Sequence, residues 1–75
     1  MTNLERLRHE VGWSVRRLAL ESKVDRKPIF TIEASKGQKT YTGTYWKIAV
    51  ALAKALGRDE EEVYKLLLED KKRGI

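Results

Sequence analysis

Two cations, Arg26 and Lys27, stand at the start of a short helical pattern that follows a tight turn. They lie within residues 14–33, which predict a short helix, a turn and a second short helix. At the exposed end of a helix, guanidinium and ammonium groups can donate hydrogen bonds to base edges and phosphates. A helix-turn-helix with such a basic leading end is suited to enter the major groove of DNA.

Catalytic and metal-binding chemistry has little support in the sequence. The chain has no cysteine and a single histidine, His9, so it lacks the ligands of a zinc site. It shows no glycine-rich phosphate loop, and Glu33 as a catalytic acid would stand without a second acid, base or nucleophile. We therefore expect no enzyme activity, no metal and no cofactor.

Positive charge is concentrated in the middle of the chain. The net charge is +5, but residues 16–54 alone contain nine cations and three carboxylates. Residues 1–15 are balanced, and residues 55–75 contain five cations and six carboxylates. A basic cluster around the predicted helix-turn-helix favours a polyanionic partner, although charge alone fits a solvated basic surface equally well.

Size and hydropathy limit the class of protein. With 75 residues the chain fits one small domain with a thin core. No apolar run approaches the roughly 18 residues that a membrane-spanning helix needs, and the first residues lack the apolar stretch of a signal peptide. We expect a cytoplasmic protein without a membrane partner.

The apolar pattern predicts five helices, and so an all-α domain over residues 1–75. On the first helix, for example, Leu4, Leu7 and Val11 share one face. The polar stretch 36–43 predicts a loop, and the charged tail from about residue 69 is expected to fray. The predicted helices are Leu4–Val11, Val15–Ser22, Arg26–Ser35, Tyr45–Leu56 and a fifth that follows Asp59 and ends at about Leu68.

Capping residues mark the starts of these helices, and glycines mark two of their ends. Gly12 and Gly57 are placed to end the first and fourth helices in a left-handed conformation. Thr2 and Asp59 are each followed three residues later by Glu, which is the form of a capping box. The expected N-caps are, in order, Thr2 (with Asn3 as an alternative), Ser14, Asp25, Thr44 and Asp59.

The start of the third helix is expected to depend on Asp25. Pro28 would occupy the third helical position, where its missing N–H has no intrahelical partner. An N-cap side chain bonds the second or third amide of a helix. Since Pro28 offers none, Asp25 is expected to accept from the amide of Lys27.

Laid out in this way, the chain resembles the lambda-repressor-like (XRE-type) family of helix-turn-helix DNA-binding domains over roughly residues 4–67. Each matching motif is weak alone, but the four occur in order and at the family's spacing. The resemblance implies a compact five-helix domain whose second and third helices form the helix-turn-helix. The motifs are Leu-Arg-x-Glu-x-Gly (7–12), Ser-x-Arg-Arg-Leu-Ala (14–19), Val-Asp-Arg-Lys-x-Ile-x-x-Ile-Glu (24–33) and Leu-Ala-Lys-Ala-Leu-Gly-x-x-x-Glu-Glu-Val-Tyr-Lys-Leu-Leu (52–67).

The resemblance implies which residues would contact bases. The family's exposed positions on the third helix correspond here to Asp25, Arg26, Lys27 and Thr31, with Phe30 beside them. Arg26 is the leading candidate, because a guanidinium can bond guanine O6 and N7 together. Lys27 could reach guanine or a phosphate, and Thr31 a base edge or a thymine methyl group. Asp25 fits a cap better than a base contact, and Phe30 fits the core and a thymine contact equally.

Further roles follow from the resemblance and from the basic pattern. Arg8 and Glu33 correspond to a structural ion pair that in this family often joins the first helix to the third. Candidate phosphate contacts flank the third helix, and amides at the start of the fourth helix could join them. The candidate phosphate-binding residues are Arg16, Arg17, Lys36, Lys39, Thr44 and Lys47.

Three features depart from the family pattern. Val15 lies where the family often has Gln, and it cannot make the phosphate hydrogen bond expected there. Lys23 lies where the turn commonly has Gly, and a positive φ would cost Lys23 about 1 kcal/mol. The loop before the fourth helix is longer than the family minimum.

The leading interpretation is sequence-specific binding of double-stranded DNA by a transcriptional regulator, with repression expected because no activation or effector domain is evident. A homodimer is expected, with Tyr64 and Leu68 on the last helix as an apolar pair at its interface, and the alternative role of this pair is to thicken the core. The alternative is an antitoxin-type interaction module that neutralises a protein partner and can also bind DNA. A third possibility is an RNA or nonspecific nucleic-acid binder, which would bind random duplexes or single strands equally well.

Overall fold

Five helices make up the chain in the computed structural model, which describes the backbone of residues 1–73 and the side chains of residues 1–72. Over these residues the chain is all-α and contains no strand, as the apolar pattern predicts. The bounds of α2 match the prediction, whereas those of the other four helices differ at one end. The helices are α1 (Asn3–Val11), α2 (Val15–Ser22), α3 (Arg26–Glu33), α4 (Thr42–Leu56) and α5 (Glu60–Arg73).

α4 lies at the centre of the core, packed against α1, α2 and α5. Its side chains Ile48, Ala49 and Leu52 are completely buried, and the small alanine lets neighbouring helices approach closely. Each fully buried Leu or Ile contributes about 1.5–3 kcal/mol of transfer free energy. The large apolar side chains of the core are Leu4, Leu7, Leu18, Ile29, Ile32, Tyr45, Ile48, Leu52, Val63 and Leu67.

Three of the predicted N-caps are confirmed. The Thr2 hydroxyl accepts from the amide of Glu5 at 3.1 Å, and α1 begins one residue earlier than predicted, at Asn3. The Ser14 hydroxyl accepts from the third amide of α2 at 3.0 Å, and the Asp59 carboxylate accepts from the third amide of α5 at 3.1 Å. These bonds satisfy amides that a helix leaves without an intrahelical partner.

Four helices end in a residue with positive φ. Gly12 and Gly57 end α1 and α4 as predicted, and Lys23 follows α2 with a φ of 59°. Ser35 was not expected in this role, and its φ of 60° ends α3 at Glu33 rather than at Ser35. The Ser35 amide donates to the Ile32 carbonyl and the Lys36 amide to the Thr31 carbonyl, both at 2.9 Å, which is the pattern of a Schellman motif.

The predicted start of α4 is wrong by one turn. α4 begins at Thr42 with Tyr41 in the N-cap position, so Thr44 is its third residue and not its cap. The Thr44 amide donates to the Tyr41 carbonyl at 3.0 Å. Thr and Gly in residues 42–44 have low helix propensity, but the loop before them is anchored to the core and overrides it.

α5 is longer than predicted, and the expected fraying from residue 69 is wrong as far as Arg73. The reason is Asp70, which is buried and accepts from the amides of Asn3 and Leu4 at 2.8 Å each. This carboxylate bonds the first amides of α1 and stabilises its positive end. The last two residues of the predicted tail lie outside the described residues.

Candidate nucleic-acid interface

α2 and α3 are packed against each other and joined by the turn at residues 23–25. The Val24 amide donates to the Ala19 carbonyl at 3.2 Å, which closes the turn against the end of α2. Ala19 and Val24 are partly buried against the core. α3 also packs on α1, which leaves its remaining side open to solvent.

The structure brings the five predicted base-contacting residues together. Ile29 and Ile32 bury one face of α3 completely or nearly so. Positions four apart share a face of a helix, so Phe30 lies beside Arg26 and Thr31 beside Lys27. One shallow, open depression on the surface is lined by Asp25, Arg26, Lys27, Phe30 and Thr31.

Asp25 occupies the N-cap position but does not make the predicted capping bond. Its backbone is extended, and its side chain makes no capping hydrogen bond with α3. Pro28 removes the third amide of α3, and Asp25 does not bond the second amide, that of Lys27, either. The exposed carboxylate therefore remains available as an acceptor on the outer end of α3.

Phe30 and Thr31 differ in how much of each side chain already contacts the rest of the protein. Phe30 is 56% exposed, which removes the core as its location. The Thr31 hydroxyl donates to the Lys27 carbonyl at 2.9 Å, so its hydrogen is used within the helix. Its oxygen can still accept a hydrogen bond, and its methyl group can contact an apolar atom.

A second open depression lies between α2 and α3 and adds Leu20 and Lys23 to the candidate contacts. It is lined in part by Arg16, Leu20, Lys23 and Arg26. Leu20 is 69% exposed there, between basic side chains. The position of Lys23 in the turn, next to the basic start of α3, is the sequence signal that could have identified it.

Arg17 is partly engaged by the protein. Its Nε donates to the Glu21 carboxylate at 2.8 Å, and its guanidinium lies 5.4 Å from the centre of the Trp13 ring. Both members of the ion pair are exposed, and such a pair contributes only about 0.3–0.5 kcal/mol. Arg17 can therefore leave Glu21 for a phosphate at low cost.

Lys36 and Lys39 project from the loop between α3 and α4, and both are exposed. The loop itself is anchored: the Tyr45 hydroxyl donates to the Gly37 carbonyl at 2.9 Å. The Lys71 ammonium donates to the carbonyls of Gln38 and Thr40. These contacts fix the loop against α4 and α5, so the backbone that carries its two exposed lysines has a defined position.

Lys47 and Thr44 are not placed with the other candidates for phosphate binding. Lys47 is exposed in a depression between α2 and α4 that is also lined by Lys23 and Lys54. Lys54 was missed by the sequence analysis, although it lies seven residues after Lys47 and so on the same helical face. Thr44 is partly buried, and its amide already bonds within the first turn of α4.

The expected ion pair between Arg8 and Glu33 is present and nearly buried. Arg8 Nε and Nη2 donate to the two carboxylate oxygens of Glu33 at 2.7 and 3.0 Å. Arg8 Nη1 also donates to the Trp13 carbonyl at 2.9 Å. The hydrogen bond with Glu33 raises the pKa of Arg8 above its usual value, against the opposing effect of burial. This bidentate pair ties α1 to the end of α3.

The outer face of α5 carries an aromatic cluster. Tyr64 and Leu68 are half-buried, and with Trp46 of α4 they line one shallow apolar depression. The rings of Trp46 and Tyr64 meet edge to face, with their centres 5.2 Å apart. Trp46 is 39% exposed and extends the apolar pair that the sequence predicts.

The described residues contain neither a metal-binding cluster nor a membrane-spanning helix. Among them, no three His, Cys, Asp or Glu side chains are grouped closely enough to hold a metal ion. No helix in this part of the chain is long and apolar enough to cross a membrane.

Comparison of the chain with protein-family models, with curated proteins and with solved structures found no significant match. Function is therefore inferred from the motifs of the sequence and from the geometry of α2 and α3.

Proposed function

We propose that this chain is a lambda-repressor-like helix-turn-helix domain that binds double-stranded DNA by placing α3 in the major groove. The observation that carries the proposal is the division of α3 into two faces. One face, with Ile29 and Ile32, is buried in the core. The other presents a carboxylate, two cations, a hydroxyl and an aromatic ring in one open depression.

The dimensions of α3 suit this role. Its eight residues give a rod about 12 Å long, at 1.5 Å per residue. The major groove is about 12 Å wide and presents a different pattern of donors and acceptors for each base pair. A short exposed helix whose first residues are charged can lie along such a groove and contact two or three base pairs.

Each exposed side chain has a matching group on DNA. Arg26 can donate two hydrogen bonds to guanine O6 and N7, and Lys27 can donate to guanine or to a phosphate. Asp25, without a capping bond, can accept from cytosine N4. Thr31 can accept from a base amino group through its oxygen.

Cations on both sides of α3 would hold the domain on the duplex. Arg16 and Arg17 lie at the start of α2, and Lys36 and Lys39 follow α3. Phosphate contacts fix orientation without reading sequence, and each adds to the salt dependence of binding. Lys47, on the surface shared by α2 and α4, would contact phosphate farther along the same strand or remain solvated.

Selection of binding sites from a random duplex pool tests the proposal. We expect one sequence to be enriched, and to bind far more tightly than a scrambled duplex of the same composition. Specific sites are commonly bound about 10³–10⁷ times more tightly than nonspecific DNA. Equal affinity for the enriched duplex, the scrambled duplex and a single strand would contradict the proposal and favour a nonspecific nucleic-acid binder.

We also propose a homodimer through the aromatic cluster of Trp46, Tyr64 and Leu68. One short helix covers few base pairs, so two copies on half-sites about 34 Å apart would raise affinity and specificity. The enriched sequence is then expected to be palindromic. Sedimentation that shows a monomer at high concentration, both with and without the palindromic duplex, would contradict the dimer.

Occupation of such a site would exclude other proteins from the same DNA. We therefore propose that the domain regulates transcription, with repression as the direction that binding alone can produce. A reporter gene carrying the enriched sequence across its promoter should be expressed less when the protein is present, and unchanged expression would contradict repression.

A further inference from the structure

Phe30 is the least expected side chain on the outer face of α3. Its ring is 56% exposed although the neighbouring Ile29 is completely buried. Single exposed apolar residues are common on protein surfaces and carry no meaning by themselves. Phe30 differs because it shares its depression with Arg26 and Lys27, where every other lining side chain can form hydrogen bonds.

The chemistry of the major groove restricts what a phenyl ring can contact there. The base edges present donors and acceptors, and the one apolar group larger than a hydrogen atom is the C5-methyl of thymine. A phenyl ring forms no ordinary hydrogen bond, so placing it over a polar edge would remove water from that edge without replacing its hydrogen bonds. Contact with a thymine methyl group instead buries apolar surface on both partners.

We propose that Phe30 determines specificity by packing against the C5-methyl group of a thymine near the base pair that Arg26 contacts. The inference rests on the proposed DNA binding and adds to it a named base. Phe30 lies four residues after Arg26, which is about 6 Å along the helix axis. At 3.4 Å per base pair, the thymine is expected about two base pairs from the guanine of Arg26 when α3 follows the groove.

The test removes one methyl group from DNA and one ring from the protein. In the duplex recovered by selection, each thymine is replaced in turn by deoxyuridine, which keeps the pairing hydrogen bonds and lacks only the methyl group. Dissociation constants are then measured by fluorescence anisotropy for the unmodified protein and for Phe30→Ala. Because Phe30 is outside the core, the variant should keep its thermal midpoint, which circular dichroism checks.

For the unmodified protein, we expect deoxyuridine at one position to weaken binding about fourfold, which corresponds to one buried methyl group. Phe30→Ala should bind the two duplexes equally, and Phe30→Leu should keep part of the difference. Thr31→Ser, which removes the other candidate methyl contact on α3, should keep the full difference.

Three results would overturn the inference and leave the proposed function standing. The first is a selected site that contains no thymine. The second is a tightly bound site at which no deoxyuridine replacement lowers affinity. The third is a sensitivity to deoxyuridine that persists in Phe30→Ala or disappears in Thr31→Ser. A protein that does not distinguish the selected from the scrambled duplex would instead overturn both the inference and the proposed function.

Discussion

Lys23 holds a left-handed conformation that glycine would adopt with less strain. Its φ of 59° follows the last residue of α2, where the chain turns toward α3. The same residue lines the depression between α2 and α3 together with Arg16 and Arg26. A basic side chain at this position adds positive charge to the proposed DNA surface and lowers the stability of the turn.

Lys23→Gly should therefore raise the free energy of unfolding by about 1 kcal/mol. Urea denaturation measures the change, and Lys54→Gly is the matched control. Lys54 lies inside α4, where the same replacement should lower stability by about 1 kcal/mol. Loss of stability in both variants would contradict strain at Lys23.

Tyr45 gives the protein a pH dependence in alkaline solution. Its side chain is fully buried; burial, with a smaller effect from the charge of Asp70, raises its pKa from 10.0 to about 12. The folded state thus favours the neutral phenol. The resulting stability is complete below pH 10, where the unfolded chain also keeps its proton, and is lost as the pH rises toward 12.

Thermal midpoints measured from pH 9 to pH 12 should accordingly fall more steeply for the unmodified protein than for Tyr45→Phe, which has no phenol to ionise. Every other ionisable group is common to both proteins, so the difference between the two curves isolates Tyr45. Parallel curves would contradict the raised pKa of Tyr45.

At the scale of elements, the loop between α3 and α4 is positioned by contacts from α4 and α5. Gly37 is buried, and a Cβ added there would lie 2.3 Å from the Tyr45 hydroxyl and 3.0 Å from Ile32. Only glycine lets the backbone approach this closely. The contacts of Tyr45 and Lys71 then fix the segment that carries Lys36 and Lys39.

Gly37→Ala should lower the free energy of unfolding by about 1–3 kcal/mol, because it displaces the Tyr45 hydroxyl from its acceptor. In a Tyr45→Phe background that hydroxyl is absent, so the same replacement should cost less. A double-mutant cycle by urea denaturation measures the coupling. Equal costs in both backgrounds would show that a clash with the Tyr45 hydroxyl is not the reason for glycine at residue 37.

The same elements show what the sequence can and cannot predict. Local signals sufficed where the structure is local: α2 begins after its predicted cap, Ser14, and ends before Lys23, as predicted. The predicted end of α5 was wrong because Asp70 bonds the amides of Asn3 and Leu4, at the other end of the chain. The predicted start of α4 was wrong because Lys71, about 30 residues away, helps to anchor the loop before it. Asp25 takes the N-cap position as predicted but does not bond the Lys27 amide, and nothing in the structure explains why.

The candidate nucleic-acid interface shows the same contrast between local and long-range structure. Residues on one helix, from Asp25 to Thr31, were brought together as their spacing predicts. Lys47 was placed with the phosphate contacts of the loop, but the fold sets it beside Lys23 and Lys54. Grouping across different helices depends on how they pack, and periodicity alone does not encode that packing.

At the scale of the whole molecule, charge predicts how binding depends on salt. Cations predominate in residues 16–54, whereas the first turn of α5 is acidic, with Glu60, Glu61 and Glu62. Each phosphate contact on duplex DNA contributes about −0.9 to the slope of log affinity against log salt. Steering by these cations would also speed association at low salt.

Lys36→Ala combined with Lys39→Ala should make that slope less steep by about 1.8, with affinity reduced alike on the selected and scrambled duplexes. Anisotropy titrations at several salt concentrations measure the slope. Arg58→Ala, beside Asp59 and Glu62, should leave it unchanged. A slope that does not respond to the loop variant would place the DNA elsewhere on the domain.

The central claim is that the outer face of α3 reads base sequence, and Arg26 tests it most directly. The measurement is the affinity of Arg26→Ala for the selected and the scrambled duplex, with Arg58→Ala as the control that removes the same charge elsewhere. The account predicts a loss of about 1–3 kcal/mol on the selected duplex, with little change on the scrambled one. No loss on the selected duplex, or an equal loss on both, would contradict it.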